Sequence, residues 1–270
     1  MQHKVTLRTY LLGSALLTLL TAALRTLSLT LAFDPASGYF EGGALPVIYR
    51  TVTLLSLAVI IALPLFFFKG KLSAKRTPLT RSGACGACLC ALLFFINFIV
   101  GCTIKSTVLS PLLWLVGLIS LLLATVYFIL QTPFVQAGKN AHAVLGSITV
   151  LALACLIAFT YFDVSTPMNA PHKMDLHVAL LSVILYLLYE LRAKAEIARP
   201  LALLIFSSLS FFLSASIGVS DTVAYLSGTF SSPLYLAEDL LLLALAVYIG
   251  ARSASDAALF KNQDRKEPAL

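Results

Sequence analysis

Eight apolar runs, each about as long as a membrane-crossing helix, divide the chain from end to end and leave it very few folds. They cover roughly 10–33, 45–68, 84–104, 111–131, 143–162, 174–191, 200–219 and 233–251. An α-helix rising about 1.5 Å per residue needs ~20 residues to cross ~30 Å of hydrocarbon. Only 11% of the 270 residues are charged, against about 25% in soluble domains. A mean hydropathy of +0.94 would leave any soluble core with large apolar patches on its surface. The sequence therefore predicts an all-α polytopic membrane bundle of eight transmembrane helices over residues 1–252, with a short polar tail at 253–270. Turn chemistry marks the joints at Asp34-Pro35, Lys69-Gly70-Lys71, Ser110-Pro111, Thr132-Pro133, Thr166-Pro167, Arg199-Pro200 and Ser232-Pro233.

Basic residues alternate between the joints. Taking every second segment as cytoplasmic gathers Lys4, Arg8, Lys69, Lys71, Lys75, Arg76, Arg81, Lys139, Arg192, Lys194, Arg199, Arg252, Lys261, Arg265 and Lys266, 15 of the 19 Lys and Arg residues. Only Lys105 and Lys173 fall on the other side, where Asp34, Glu41, Asp163, Asp175 and Asp221 are placed. This positive-inside pattern predicts both termini in the cytoplasm. The net charge of +7 is thereby spread over short loops facing lipid headgroups, so the lipid bilayer is the expected partner and nucleic acid is not. The apolar run after Lys4 and Arg8 continues past Arg25 without a small-residue cleavage site, so it is read as a retained helix. Five cysteines in apolar runs and the lack of a glycosylation sequon point to a bacterial cytoplasmic membrane. Similar pieces near 32–37 and 161–166, and at Ser110-Pro111-Leu112 and Ser232-Pro233-Leu234, suggest a 4+4 parallel repeat.

Charges inside the apolar runs are the candidates for chemistry. Arg25 lies ~12 Å below the outer end of the first run, Arg50 ~8 Å into the second, and Glu238 and Asp239 ~8–9 Å into the eighth. A charge near a helix centre costs roughly 2.5–3.5 kcal/mol to insert. Arg25, Arg50, Glu238 and Asp239 are thus expected to form one layer, either as ion pairs fixing helices or as the lining of an outward-facing polar cavity. His172, Asp175 and His177 are weaker metal candidates: the histidines are five apart, off the i, i+4 spacing of a zinc helix, and Lys173 stands between them. Cys85-Gly-Ala-Cys88 has no second pair to complete a metal set, and reads as small residues for close helix approach. Glu190 is expected to pair with Lys194, four residues on.

Neither a phosphate-binding loop, a Gly-x-Ser-x-Gly elbow nor an HExxH helix occurs, so no cofactor and no enzymatic activity is expected. Asp34-Pro-Ala-Ser37-Gly38-Tyr39-Phe40 and the run ending Leu188-Tyr189-Glu190-Leu191-Arg192 resemble a group of uncharacterised bacterial multi-spanning membrane proteins with a D-x-x-[ST]-G-[FY]-[FY] loop. That resemblance implies a bacterial membrane location and nothing about chemistry. The functional expectation is a protein of transporter or small-ligand-binding type, whose partner is a polar small molecule. The alternative is a non-catalytic scaffold or sensor subunit meeting a membrane protein partner through residues 69–81 or the tail. An intramembrane enzyme acting on lipid-linked substrates would have to use His172, Asp175 and His177.

Overall fold

A computed structural model describes residues 7–69, 72, 79–103, 110–133, 138–163, 166–167, 169–195, 197 and 199–263. Most of the basic 69–81 segment, Lys105 and the last seven residues of the tail lie outside the described residues. Eight helices run Leu7–Leu31 (α1), Ala44–Phe67 (α2), Arg81–Thr103 (α3), Pro111–Leu130 (α4), Lys139–Tyr161 (α5), Pro171–Lys194 (α6), Pro200–Leu226 (α7) and Pro233–Gln263 (α8). All eight are long and apolar enough to cross a membrane. Four begin on proline, whose missing N–H costs nothing at a first helical position. The N-terminal part of the 253–270 tail simply continues α8.

Helices α3 to α8 close a ring in which each packs on the next and α8 returns to α3, while α1 and α2 lie against the flank of α7. Phe94, Tyr127, Phe128 and Tyr248 fill the ring with stacked and edge-on aromatic contacts. In lipid, helices gain little from hiding apolar surface from one another, so backbone approach matters more. A Cβ on Gly86 of α3 would lie 2.9 Å from the Tyr248 Cα of α8, and one on Gly218 of α7 would lie 2.9 Å from the Asp239 carbonyl oxygen. The small-residue reading of the Cys85–Cys90 stretch therefore applies to Gly86, Ala87 and Cys90, which are buried; Cys85 and Cys88 face outward.

Helices α1 and α7 pack together, and each buries a polar stripe. On α1 the buried positions Ser14, Thr18, Thr21, Arg25 and Ser28 follow a strict four-three spacing, and on α7 the buried Ser207, Ser214 and Asp221 recur every seventh residue, while Ser210 donates to the Ser182 carbonyl of α6 at 2.6 Å. Several of these hydroxyls bond back to carbonyls of their own helix, as Ser14, Thr18 and Ser28 do, which lets them sit in an apolar medium.

Between α1 and α2 the chain forms a two-residue hairpin, Phe33–Asp34 against Tyr39–Phe40. Asp34 accepts from the backbone amides of Ala36 at 2.9 Å and Ser37 at 3.1 Å. Gly38 at φ 76° closes the turn, in a conformation that favours glycine. The Ser37 hydroxyl and the Ala36 amide hold the Asp34 carboxyl below its ordinary value. The D-x-x-S-G motif thus builds a turn. Phe33 packs edge-on against both Phe40 and Phe230 of the α7–α8 connection, joining the hairpin to that loop.

Candidate functional site

The α1–α7 seam ends in a buried cluster at the end of the bundle where α1 and α7 finish and α2, α6 and α8 begin. Arg25 lies there about 9 Å before the end of α1 and is fully buried. Its Nε donates to Ser220 Oγ at 2.9 Å and to Asp221 Oδ1 at 3.1 Å, and its Nη2 donates to both Asp221 oxygens at 2.8 and 2.9 Å. Its Nη1 donates to Tyr49 Oη at 3.0 Å and pairs closely with Asp175 Oδ2. Tyr49 in turn donates to that same Asp175 oxygen at 3.3 Å. One guanidinium therefore joins α1 to α2, α6 and α7, in the planar, forked geometry that suits arginine and not lysine. Asp175 keeps 32% of its side chain exposed and is the edge of the cluster open to the surroundings.

His172, one residue into α6, places Nδ1 2.8 Å from Asp221 Oδ2. Its ring packs against Phe230, with centroids 4.3 Å apart, and against Tyr235. With the Phe33–Phe230 contact, these rings form an aromatic cover over the cluster. Tyr235 donates to Asp163 Oδ2 at 3.0 Å, fixing the start of α8 to the end of α5.

The first turns of α8 supply Glu238 and Asp239, 0% and 1% exposed. Among the described residues, neither oxygen of Glu238 has a hydrogen-bond partner, nor does Asp239 Oδ1 or the Nε2 of His172. Burying an ionised carboxylate without a partner is among the most costly arrangements a protein adopts. One donor atom each from His172, Asp221 and Asp239 lie within 4.8 Å of one another.

The four-charge layer expected from the sequence is redrawn by this geometry. Asp239 comes to the Arg25–Asp221 pair, whereas Glu238, the next residue on α8, is buried without a contact to Arg25 among the described residues, and Arg25 pairs with Asp221 and Asp175, the two carboxylates the sequence had assigned to outer loops. Arg50 is not part of the cluster: it is exposed, with its guanidinium 5.8 Å over the Phe40 ring. The trio His172, Asp175 and His177 divides, because His177 Nε2 lies 2.8 Å from Thr160 Oγ1 of α5, while the other two turn toward Arg25 and Asp221. Lys173 points away from the cluster, donating to the Asp163 carbonyl at 2.7 Å. At the opposite end of the bundle Glu190 accepts from Tyr248 of α8 at 3.0 Å and has Arg252 Nε at 3.9 Å, whereas Lys194 reaches across to Gln131 at 2.5 Å.

Asp221 and Ser220 were missed because a polar Ser-Asp-Thr triplet ends the hydropathy of the seventh run at 219, although the helix continues to Leu226. The recurrence of Ser207, Ser214 and Asp221 at every seventh residue was the available signal. No protein-family model matches this chain, and no curated protein and no solved structure matched it.

Proposed function

We propose that the chain is a carrier-type protein of a bacterial cytoplasmic membrane, with both termini inside, which binds a small polar solute at the Arg25–Asp221 cluster near the outer face. The observation that carries this reading is the imbalance at α8. Arg25 is already satisfied by two carboxylates, a tyrosine and a serine, yet Asp239 is buried with a donor atom within 4.8 Å of those of Asp221 and His172, and among the described residues its Oδ1 and both oxygens of the adjacent Glu238 are unbonded. A purely structural ion-pair network has no use for those two acids, whereas a binding site for a positively charged solute does. The excess of acid over base favours a cation or amine over an anion. Asp175, partly exposed, offers the route in. The alternation of basic residues supports the orientation.

Solid-supported membrane electrophysiology on proteoliposomes tests this, using a panel of inorganic cations, amines and amino acids. The expected result is a transient current with one class of solute, lost in Glu238→Gln and Asp239→Asn proteins that remain folded. Silence across the panel, together with unfolding of the same variants, would leave the cluster a helix fastener and sink the proposal.

A further inference from the structure

We infer that the cluster is a site for a first-row divalent transition-metal ion, held by His172, Asp221 and Asp239. The inference rests on the carrier reading above and names the solute. Three helices contribute: α6 gives an imidazole, and α7 and α8 each give a carboxylate. Their donor atoms lie within 4.8 Å of one another, and the His172 Nδ1 to Asp221 Oδ2 separation is 2.8 Å. Two donors each about 2.0–2.2 Å from a shared metal, at roughly a right angle, stand about that far apart. The hydrogen bond now joining them occupies the edge of a coordination polyhedron, and the metal replaces it.

Burial and charge point the same way. All three side chains are at most 2% exposed, and Asp239 Oδ1 has no hydrogen-bond partner, so an acceptor is present with nothing to accept from. Asp175, Asp221 and Asp239 set three carboxyls around the single guanidinium of Arg25. A dication offsets that excess. One imidazole with carboxylate oxygens suits Mn²⁺, Fe²⁺, Co²⁺ or Zn²⁺, whereas Mg²⁺ and Ca²⁺ prefer all-oxygen sets. Lys173, which the sequence placed between the candidate ligands as a repelling charge, is turned to the Asp163 carbonyl and takes no part. Arg25 keeps its fork on Asp221 and holds this ligand in place, as the hydrogen-bond partners of metal ligands do.

Mn²⁺ and Zn²⁺ alone serve as probes, added to tag-free, full-length protein in lipid nanodiscs. Mn²⁺ is read by loss of the free-ion electron paramagnetic resonance signal and Zn²⁺ by calorimetry. The expected result is one ion per chain, with affinity reduced about tenfold or more by Asp239→Asn and by His172→Gln and unchanged by His177→Gln and Arg50→Gln. Absence of binding at millimolar ion, or binding that Asp239→Asn and His172→Gln leave intact, overturns the metal site. If metal binding is absent while an amine or amino acid still drives a current that Asp239→Asn abolishes, the carrier reading stands and only the metal assignment falls. If both are absent, both fall.

Discussion

Arg25 of α1 and Asp221 of α7 meet as a two-pronged pair, Nε to Oδ1 at 3.1 Å and Nη2 to Oδ2 at 2.9 Å, with no part of either side chain exposed. Removing one partner of such a buried pair strands the other charge, at a cost of roughly 3–5 kcal/mol. Arg25→Met and Asp221→Leu are each expected to lower stability by about that much. The double replacement Arg25→Met with Asp221→Leu is expected to recover a large share. Thermal unfolding of the four proteins as a double-mutant cycle measures the coupling, and strictly additive losses would count against it.

Glu238 and Asp239 should behave in the opposite sense. With Glu238 making no hydrogen bond and Asp239 Oδ1 unpartnered, Glu238→Gln and Asp239→Asn are expected to leave stability unchanged or raise it by about 1 kcal/mol, while solute binding is lost. A midpoint that falls sharply in both would mean that the two acids fasten helices.

Helix spacing sets a third outcome. A side chain at Gly218 would drive into the Asp239 carbonyl oxygen and Leu243, separating α7 from α8 beside the cluster. Gly218→Val is expected to cost about 1–3 kcal/mol, as overpacking does. It should also weaken solute binding, because Asp239 moves away from Asp221. Gly13→Val, where an added Cβ meets nothing within 4 Å, is the control in the same two assays.

The hairpin gives a pH test. The folded-state carboxyl of Asp34 is held below its ordinary value by Ser37 and Ala36, so its contribution is present above the unfolded value of about 3.9 and is lost as pH falls through the lower folded value. Proteolytic nicking of 33–40 in nanodiscs is expected to rise below that range. Asp34→Asn, which retains an acceptor but does not titrate, should show no such step.

Hydropathy made the eight helices legible, and their bounds shifted mainly where polar residues are buried. α7 outruns its apolar run by seven residues because Ser220, Asp221 and Thr222 belong to a helix whose polar side is sheltered by Arg25. Arg25 marked itself by its cost in lipid, and Glu238 and Asp239 by theirs. The pairing among them was not legible, because depth along a helix says nothing about which way a side chain points. Arg50 shares the depth of the cluster and faces outward. Tyr49, the residue just before it, is buried as a partner of Arg25.

The distance in sequence between Arg25 and Asp221 bears on how the protein is made. Asp221 follows Arg25 by 196 residues, and at about 5–20 residues per second the ribosome needs roughly 10–40 s to supply it. Asp175 follows Arg25 by 150 residues, so until α6 is made α1 carries a cation with neither carboxylate to meet it. Over that interval the cost of holding the cation at its final depth, roughly 2.5–3.5 kcal/mol, is offset by neither acid. A chain cut short before Asp175 therefore leaves Arg25 with neither of its acid partners.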